Sequence, residues 1–334
     1  MNIKEIARRA RVSTATVSRT MNRIPTVHPA LARRVLRVAS ELGYYPNTQA
    51  RALVSGRSRI LGLIVSEITN PFFPEVVQSF ENLAVQHNYE ILLSSTIDHP
   101  ERMELAVRRM IERRVEAVAI LTFGMEELLT ENLRFRGVPL VFVDVGPDVP
   151  GVSNIRINYL SGIRQAVQHL AALRHSRIAF VAGPRQLPSA VARRRAFEDS
   201  MQEIGLRFPD EYMVEGDHTM EGGMRALSQL LLLRKPPTAV LCSNDMTAIG
   251  VMRQACDSGI RIPSEISVVG FDDIRLSEFT APPLTTVQMS QAELARLAFV
   301  ALMNDLETQK RPRRNGDYSL ATSLVLRGST ALAI

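Results

Sequence analysis

The sequence predicts an α/β protein: an N-terminal three-helix head of the helix-turn-helix type, followed by a two-lobed core of doubly wound parallel sheets. Three observations lead there. Positive charge gathers at one end, where residues 1–59 hold 12 lysines and arginines against Glu5 and Glu41, while the rest holds 28 against 32 acids. That same end has apolar residues at helical spacing with recognisable caps. Everything after it alternates between continuous apolar runs and helix-like stretches, a theme that occurs twice, over 60–159 and 160–289.

The head begins with Asn2 followed by Glu5, a capping-box pair, and Ile3, Ile6, Ala7 and Ala10 then share one helical face. Arg11-Val12-Ser13 breaks the helix, and Ser13 is a good N-cap for a second helix over 14–21. Val17 and Met21 are expected to face inward. Thr14, Ala15, Ser18 and Arg19 are left outward near its start. A third helix starts at Pro29, buries Leu31, Val35, Val38 and Leu42, and stops at Gly43. Two short helices across a tight turn, packed on a third, make a helix-turn-helix unit, whose second helix enters the major groove of DNA. The weak helix formers of VSTATVSRTMN fit that use. Thr14 and Thr16 offer hydroxyls and methyls, Ala15 can touch a thymine methyl, and Arg19 can reach guanine or phosphate. A purely structural three-helix bundle is the competing reading of the pattern.

After Tyr44-Tyr45-Pro46, the segment NTQARALVSGRSR has helix-forming residues but too few turns to be stable alone, which suits a conditional hinge. The core then reads as strands at ILGLIVSEI, YEILLSST, EAVAILTF and VPLVFVDV, with helices near 73–87, 100–114 and 125–136 between them. RIAFVAGP, TAVLCSND and ISVVGFDD repeat the theme. Apolar strands alternating with helices indicate parallel sheets covered on both faces. Two such lobes turn their strand C-termini toward a shared cleft, where a ligand binds. Polar and aromatic residues punctuate those strand ends: Asn70, Phe72 and Phe73, Asp144, Arg193, Asn244, Asp245, Asp272, Asp273 and Gln288. An aromatic face, a forked guanidinium, carboxylates and amides suit a small polyhydroxylated ligand. Asn244 and Asp245 also fit as caps of the helix that follows, and Asp273 reads as structural. Phe72 reads as core or dimer-facing, and Arg194 and Arg195 as solvated.

Several classes find no support. Cys242 and Cys256 are the only cysteines and read as small buried apolar residues. The N-terminus lacks the apolar run of a signal peptide, and no stretch is long and apolar enough to span a membrane, so a cytoplasmic protein is expected. There is no P-loop, GxGxxG, HExxH or metal-spaced cysteine and histidine cluster, so neither an enzyme nor a bound cofactor is expected.

IKEIARRARVSTATVSRTMN (3–22), LGYYPNTQARAL (42–53), GLIVSEITNPFF (62–73), SVVGFDD (267–273) and PPLTTVQ (282–288) strongly resemble the lactose-repressor family of bacterial transcription regulators, in order and over essentially the whole chain. The resemblance implies a head over 1–46, a hinge over 47–59, and a periplasmic-binding-protein-like core over 60–334. It places 60–159 and 291–319 in a first lobe and 160–290 and 320–334 in a second, joined by three crossovers. Thr14 and Ala15 match base-reading positions and Arg19 a DNA-contacting one. Residues 47–55 match a hinge helix that lies in the minor groove, where Leu53 wedges into a base step. With Thr16, Ser18, Asn22, Asn47 and Arg51, these form the expected DNA-contacting set.

In the core, Phe73, Arg193, Asn244, Asp272 and Gln288 match effector-contacting positions, joined by Asn70, Asp144, Ser189 and His218. Two departures stand out. His218, in EGDHT, occupies a place where relatives often carry Trp or Phe, and a surface role is its alternative. LTFGME replaces a segment where sugar-binding relatives often carry Asp or Arg. Glucose-like sugars, sugar acids, phosphosugars and a purine-like co-repressor therefore all stay open as effectors. The implied partners are double-stranded DNA with a pseudo-palindromic operator, a small effector and a second copy of the chain. The tail after Leu324 is short and has no heptad repeat, which favours a homodimer over a coiled-coil tetramer. A solute-binding protein would share the core but not the basic head.

Overall fold

The computed structural model describes residues 2–21, 24–44, 57–97, 99–122, 127–144, 146–147, 149–307 and 316–333. They fall into two compact units, 1–58 and 59–334.

The head is three helices, α1 (Ile3–Ala10), α2 (Thr14–Met21) and α3 (Pro29–Glu41). Asn2 Oδ1 accepts from the Glu5 amide at 3.2 Å, which caps α1. Arg11 turns the chain in the left-handed region at φ 49°, and the Val12 amide closes back on the Ala7 carbonyl at 3.0 Å. Ser13 Oγ then accepts from the Thr16 amide at 3.0 Å and starts α2. Ile6, Ala10, Val17 and Val35 are fully buried at the centre. Thr20 is buried beside Val17, and Met21 is half-buried. The Thr20 hydroxyl donates to the Thr16 carbonyl at 2.8 Å, so no polar atom is stranded. On α3, Ala39 joins Val35 and Val38 in the core, while Leu31 and Leu42 are only half-buried.

The core has two six-stranded sheets. The strands of the first are β1 (Ile60–Val65), β2 (Glu90–Ser95), β3 (Ala117–Leu121), β4 (Leu140–Val143), β5 (Val152–Asn158) and β11 (Asp317–Ala321), in the order β11-β5-β4-β3-β1-β2. All its pairs are parallel. The second holds β6 (Ile178–Ala182), β7 (Met213–Glu215), β8 (Ala239–Cys242), β9 (Ser267–Asp272), β10 (Thr285–Gln288) and β12 (Ser323–Val325), in the order β12-β10-β9-β8-β6-β7. Only its β10–β12 pair is antiparallel.

The helices between them are α4 (Phe72–Gln86), α5 (Pro100–Glu112), α6 (Glu127–Phe135), α7 (Tyr159–Ala172), α8 (Pro188–Glu203), α9 (Met220–Leu231), α10 (Asp245–Asp257) and α11 (Gln291–Glu307). The central strands β3 and β6 are buried at every position, which is why they read as unbroken apolar runs. After β10 the chain returns to the first lobe, where Phe299 of α11 packs edge-on against Phe80 of α4 at 5.8 Å. It therefore passes between the lobes three times: from β5 into α7, from β10 into α11, and from β11 into β12.

Two expectations are corrected here. Cys242 is buried in the second lobe, but Cys256 near the end of α10 is exposed. Asp245 does not cap α10. It is fully buried, with Oδ1 accepting from the Thr286 hydroxyl at 2.5 Å and Oδ2 from the Ile274 amide at 2.8 Å, so it ties α10 to the segments after β9. Burial holds its carboxyl well above the ordinary range.

Candidate functional site

The head presents α2 through its first turns. Thr14, Ala15 and Arg19 are exposed, Thr16 and Ser18 half-buried. Thr16 Oγ1 lies 2.9 Å from Ser13 Oγ, so its hydroxyl belongs to the cap and leaves its methyl for an outside contact. The surface open to a groove is thus one hydroxyl at Thr14, one methyl at Ala15 and one forked cation at Arg19. Asn22, Asn47, Arg51 and Leu53 lie outside the described residues.

In the core, a cavity of about 450 Å³ opens where the C-terminal strand ends of the two sheets meet. Its centre is Arg193 on α8. The guanidinium is buried: Nη1 donates to the Ser243 carbonyl at 2.6 Å, and Nη2 lies 3.3 Å from Asp272 Oδ1. It also sits over the rings of Phe271, at 4.1 Å, and Tyr159, at 5.2 Å. Asp272 ends β9 with φ 110°, a strained left-handed conformation, and its carbonyl accepts from Gln291 Nε2 at 2.9 Å. Its carboxyl is pushed up to about 6 by burial, with Arg193 pulling the other way. The contact at 3.3 Å is an ion pair without hydrogen-bond alignment, so Asp272 Oδ1 and Arg193 Nε are both buried without a hydrogen-bond partner.

From the first lobe, Asp144 takes a left-handed φ of 76° after β4 and accepts from the Tyr159 hydroxyl at 2.8 Å through Oδ2. Burial raises its carboxyl, while the Tyr159 hydroxyl and Arg193 oppose that rise. Asn70 Oδ1 accepts from the Phe72 amide at 3.1 Å at the start of α4, and Phe73 lies edge-on to Phe72 at 5.4 Å. From the second lobe, Ser189 stands in the first turn of α8. His218, with φ 64°, places Nε2 2.9 Å from Ser243 Oγ. Burial, then the Arg193 charge, holds its imidazole down at about 3, so the ring is neutral near pH 7. Gly183 makes room for it, since a Cβ there would overlap the His218 ring. Asn244 caps the helix that follows it, one of the two roles weighed for it. Its Oδ1 accepts from the Thr247 amide at 2.9 Å as the cap of α10, its Nδ2 donates to the His218 carbonyl at 3.1 Å, and it lines the cavity.

Asn70, Phe73, Asp144, Ser189, Arg193, His218, Asn244 and Asp272 thus all line one cavity. Gln288 is the correction: it does not line it. Its amide donates to Asp273 Oδ2 at 2.8 Å, and Asp273 in turn accepts from Arg327 Nη2 at 2.7 Å. Phe72 is buried as expected for core, yet it also reaches the cavity wall. Arg194 and Arg195 pair with Glu198 and Asp199 on the outer face of α8. Sequence reasoning missed Tyr159, Met246, Met289 and Leu294. Tyr159 follows directly on a strand end, and that position was the available signal; the methionines and Leu294 read as ordinary core.

Among the described residues no three potential metal ligands cluster, and no helix is long and apolar enough to cross a membrane. The model for bacterial regulatory proteins of the lacI family matches residues 2–47, and that for a periplasmic binding protein-like domain matches residues 167–330. The HTH-type transcriptional repressor CytR of Escherichia coli K12 is 30% identical over 328 residues, 98% of this chain and 96% of the relative.

The chain belongs to the lacI family.

PurR, an HTH-type transcriptional repressor of Aliivibrio fischeri, is 32% identical over 332 residues, covering 98% of each chain. A lac repressor dimer bound to operator and the anti-inducer ONPF superposes with a TM-score of 0.87 at 28% identity, over 99% of both chains. The complex of the regulator CelR with cellobiose gives 0.73 at 27% identity, over 98% of this chain and 99% of the other. This lacI-family chain is accordingly a DNA-binding transcription regulator with a ligand-type core, and its named relatives are repressors rather than enzymes.

Proposed function

We propose that the chain is a homodimeric, cytoplasmic repressor whose operator affinity is set by a small hydroxylated effector held between the core lobes, and that it catalyses no reaction. The observation that carries the effector reading is the cavity itself, where Asn70, Phe73 and Asp144 of the first lobe meet Ser189, Arg193, His218, Asn244 and Asp272 of the second. A guanidinium, carboxylates and amides around one cavity suit ligand hydroxyls, each a donor and an acceptor at once. Asp144 and Asn70 of the first lobe complete a grip from both sides. A ligand that touches both lobes binds their arrangements unequally, and only such a difference shifts a conformational equilibrium.

In the head, Thr14 and Ala15 read base edges and Arg19 a guanine or phosphate. Asn22, Asn47, Arg51 and Leu53 serve the same DNA. Two protomers place two heads on inverted half-sites. The experiment is selection of full-length protein on random duplex DNA. Enrichment of two inverted half-sites is expected, and retention of DNA without any sequence enrichment would refute the reading.

A further inference from the structure

We propose that Glu75 is a latch between the core lobes, a positioning residue that holds the two cavity walls at their present separation and must let go before the lobes can turn apart. This deepens, and rests on, the reading of the cavity as the effector site. Glu75 lies in the first turn of α4, on the first lobe. Its Oε1 accepts from the backbone amide of Arg275 at 3.0 Å, 200 residues away in sequence. Arg275 opens a short 3-10 helix, Arg275–Glu278, on the second lobe. The bonds of Tyr159 to Asp144, Thr322 to Asn158 and Gln291 to Asp272 also join the lobes, but each has one end at a crossover. Glu75 and Arg275 belong to no crossover, so their bond cannot simply swivel with the hinge.

Each end is fixed to its own lobe. Val76 and Phe80 are buried on the inner face of α4, and Phe80 packs on Phe299 of α11 at 5.8 Å. On the other side Ile274 is buried and its amide is held by Asp245 Oδ2 at 2.8 Å. Ser277 is fully buried, and its hydroxyl donates to the Ile274 carbonyl at 2.7 Å. Packed elements such as these move as units, so a turn of one lobe on the other breaks the bond rather than bending its ends. The latch also adjoins the cavity: Phe73 stands two residues before Glu75 and Asp272 three before Arg275, and both line it. A ligand that fits the present separation is helped by the latch, and one that needs another separation must release it. A carboxylate on an amide is a charge-assisted bond, enough at an exposed place to bias the lobes by about fivefold.

The donor is a backbone amide, which supplies a control: Arg275→Ala keeps it and Arg275→Pro removes it. Proline fits there, because Ile274 already has the extended φ −66° and ψ 150° of a residue before proline, and Arg275 is the first residue of its helix. The test compares Glu75→Ala, Arg275→Pro, the double variant and Arg275→Ala in the full-length chain. Opening is read as the rate at which hydrogen peroxide oxidises Met246 and Met289, which line the cavity, against Met103 and Met110, which are buried elsewhere in the first lobe. Met246 and Met289 should oxidise about fivefold faster in each unlatched single variant, no faster again in the double variant, and at the wild-type rate in Arg275→Ala, with Met103 and Met110 unchanged. Operator affinity without effector, read by anisotropy, should shift by about fivefold in the same sense in both unlatched variants. Unchanged oxidation in those two variants, a double variant faster than either, Arg275→Ala as fast as Arg275→Pro, or an equal rise at Met103 and Met110 each overturns the latch and leaves the effector reading standing. Faster oxidation at Met246 and Met289 with operator affinity unchanged supports the latch and overturns the reading that the core controls the head.

Discussion

Replacing Arg193 by methionine keeps an unbranched side chain against Phe271 and Tyr159 but removes the charge facing Asp272. Three losses can be read from the geometry: the bond from Nη1 to the Ser243 carbonyl at 2.6 Å, the ion pair with Asp272 at 3.3 Å, and the cation–ring contact with Phe271 at 4.1 Å. Breaking one side of a buried pair costs about 3–5 kcal/mol, because the other charge is left uncompensated. That cost depends on pH with a definite sign. The Asp272 carboxyl is already raised to about 6 by burial, above an unfolded value near ~3.9. A raised carboxylate contributes its stability below the unfolded value and loses it as pH climbs through the folded one. Arg193 is what holds Asp272 down, so the variant's folded value rises further, and Asp144 moves in the same direction. Each added unit costs about 1.4 kcal/mol at high pH and nothing once the acid is protonated. Thermal unfolding of wild type and Arg193→Met at pH 8 should differ by about 3–5 kcal/mol, which is about 6–15 °C for a core of this size. At pH 5 the difference should shrink by about 1–3 kcal/mol. An equal gap at both pH values would refute the argument that Arg193 stabilises chiefly by compensating buried carboxylates.

Further expectations follow from other sites. Ser13→Ala removes the acceptor for the Thr16 amide and should cost about 1 kcal/mol, seen as faster hydrogen exchange in α2; unchanged exchange would count against the cap. Arg19→Ala should weaken binding to a selected operator by about 1–3 kcal/mol and to random DNA by less, while equal losses on both would reduce Arg19 to a phosphate contact. Asp245→Ala strands the Thr286 hydroxyl and the Ile274 amide in the core and should cost about 2–4 kcal/mol in urea unfolding, with Asp245→Asn milder because its shape and one acceptor remain. Equal costs for the two Asp245 substitutions would contradict the hydrogen-bonding account.

The elements most legible in the sequence were those whose local chemistry and tertiary role agree. Asn2, Ser13, Pro29 and Gly43 mark the ends of the head helices by rules that need no partner. The buried central strands announce themselves because both faces demand apolar residues. Three of the four edge strands do not: β7 spans only Met213–Glu215, and β11 and β12 are short and mostly exposed or half-buried, while β5, beside the edge strand β11, mixes Asn154, Arg156 and Asn158 into its run. Their pairing comes from sheet register rather than composition.

In the site, strand-end polar residues were found by position. What they do there depends on neighbours distant in sequence. Gln288 turns to Asp273 because Arg327, 54 residues away from Asp273, completes that cluster. Asp245 looked like a cap because it opens a helix, and only the arrival of Thr286 and Ile274 makes it a buried tie. Tyr159 was passed over because a tyrosine starting a helix is unremarkable until Asp144 and Arg193 reach it.

The central claim is that a ligand in the core cavity controls DNA affinity in the head. The most direct measurement is fluorescence anisotropy of the full-length chain on its selected operator, with and without a saturating cavity ligand, for wild type and Arg193→Met. The account predicts a change of about tenfold or more in wild-type operator affinity, within the range of known allosteric couplings, and no change in the variant, with both proteins binding the operator alike in the absence of ligand. A ligand that saturates the cavity and leaves wild-type operator affinity untouched would contradict it.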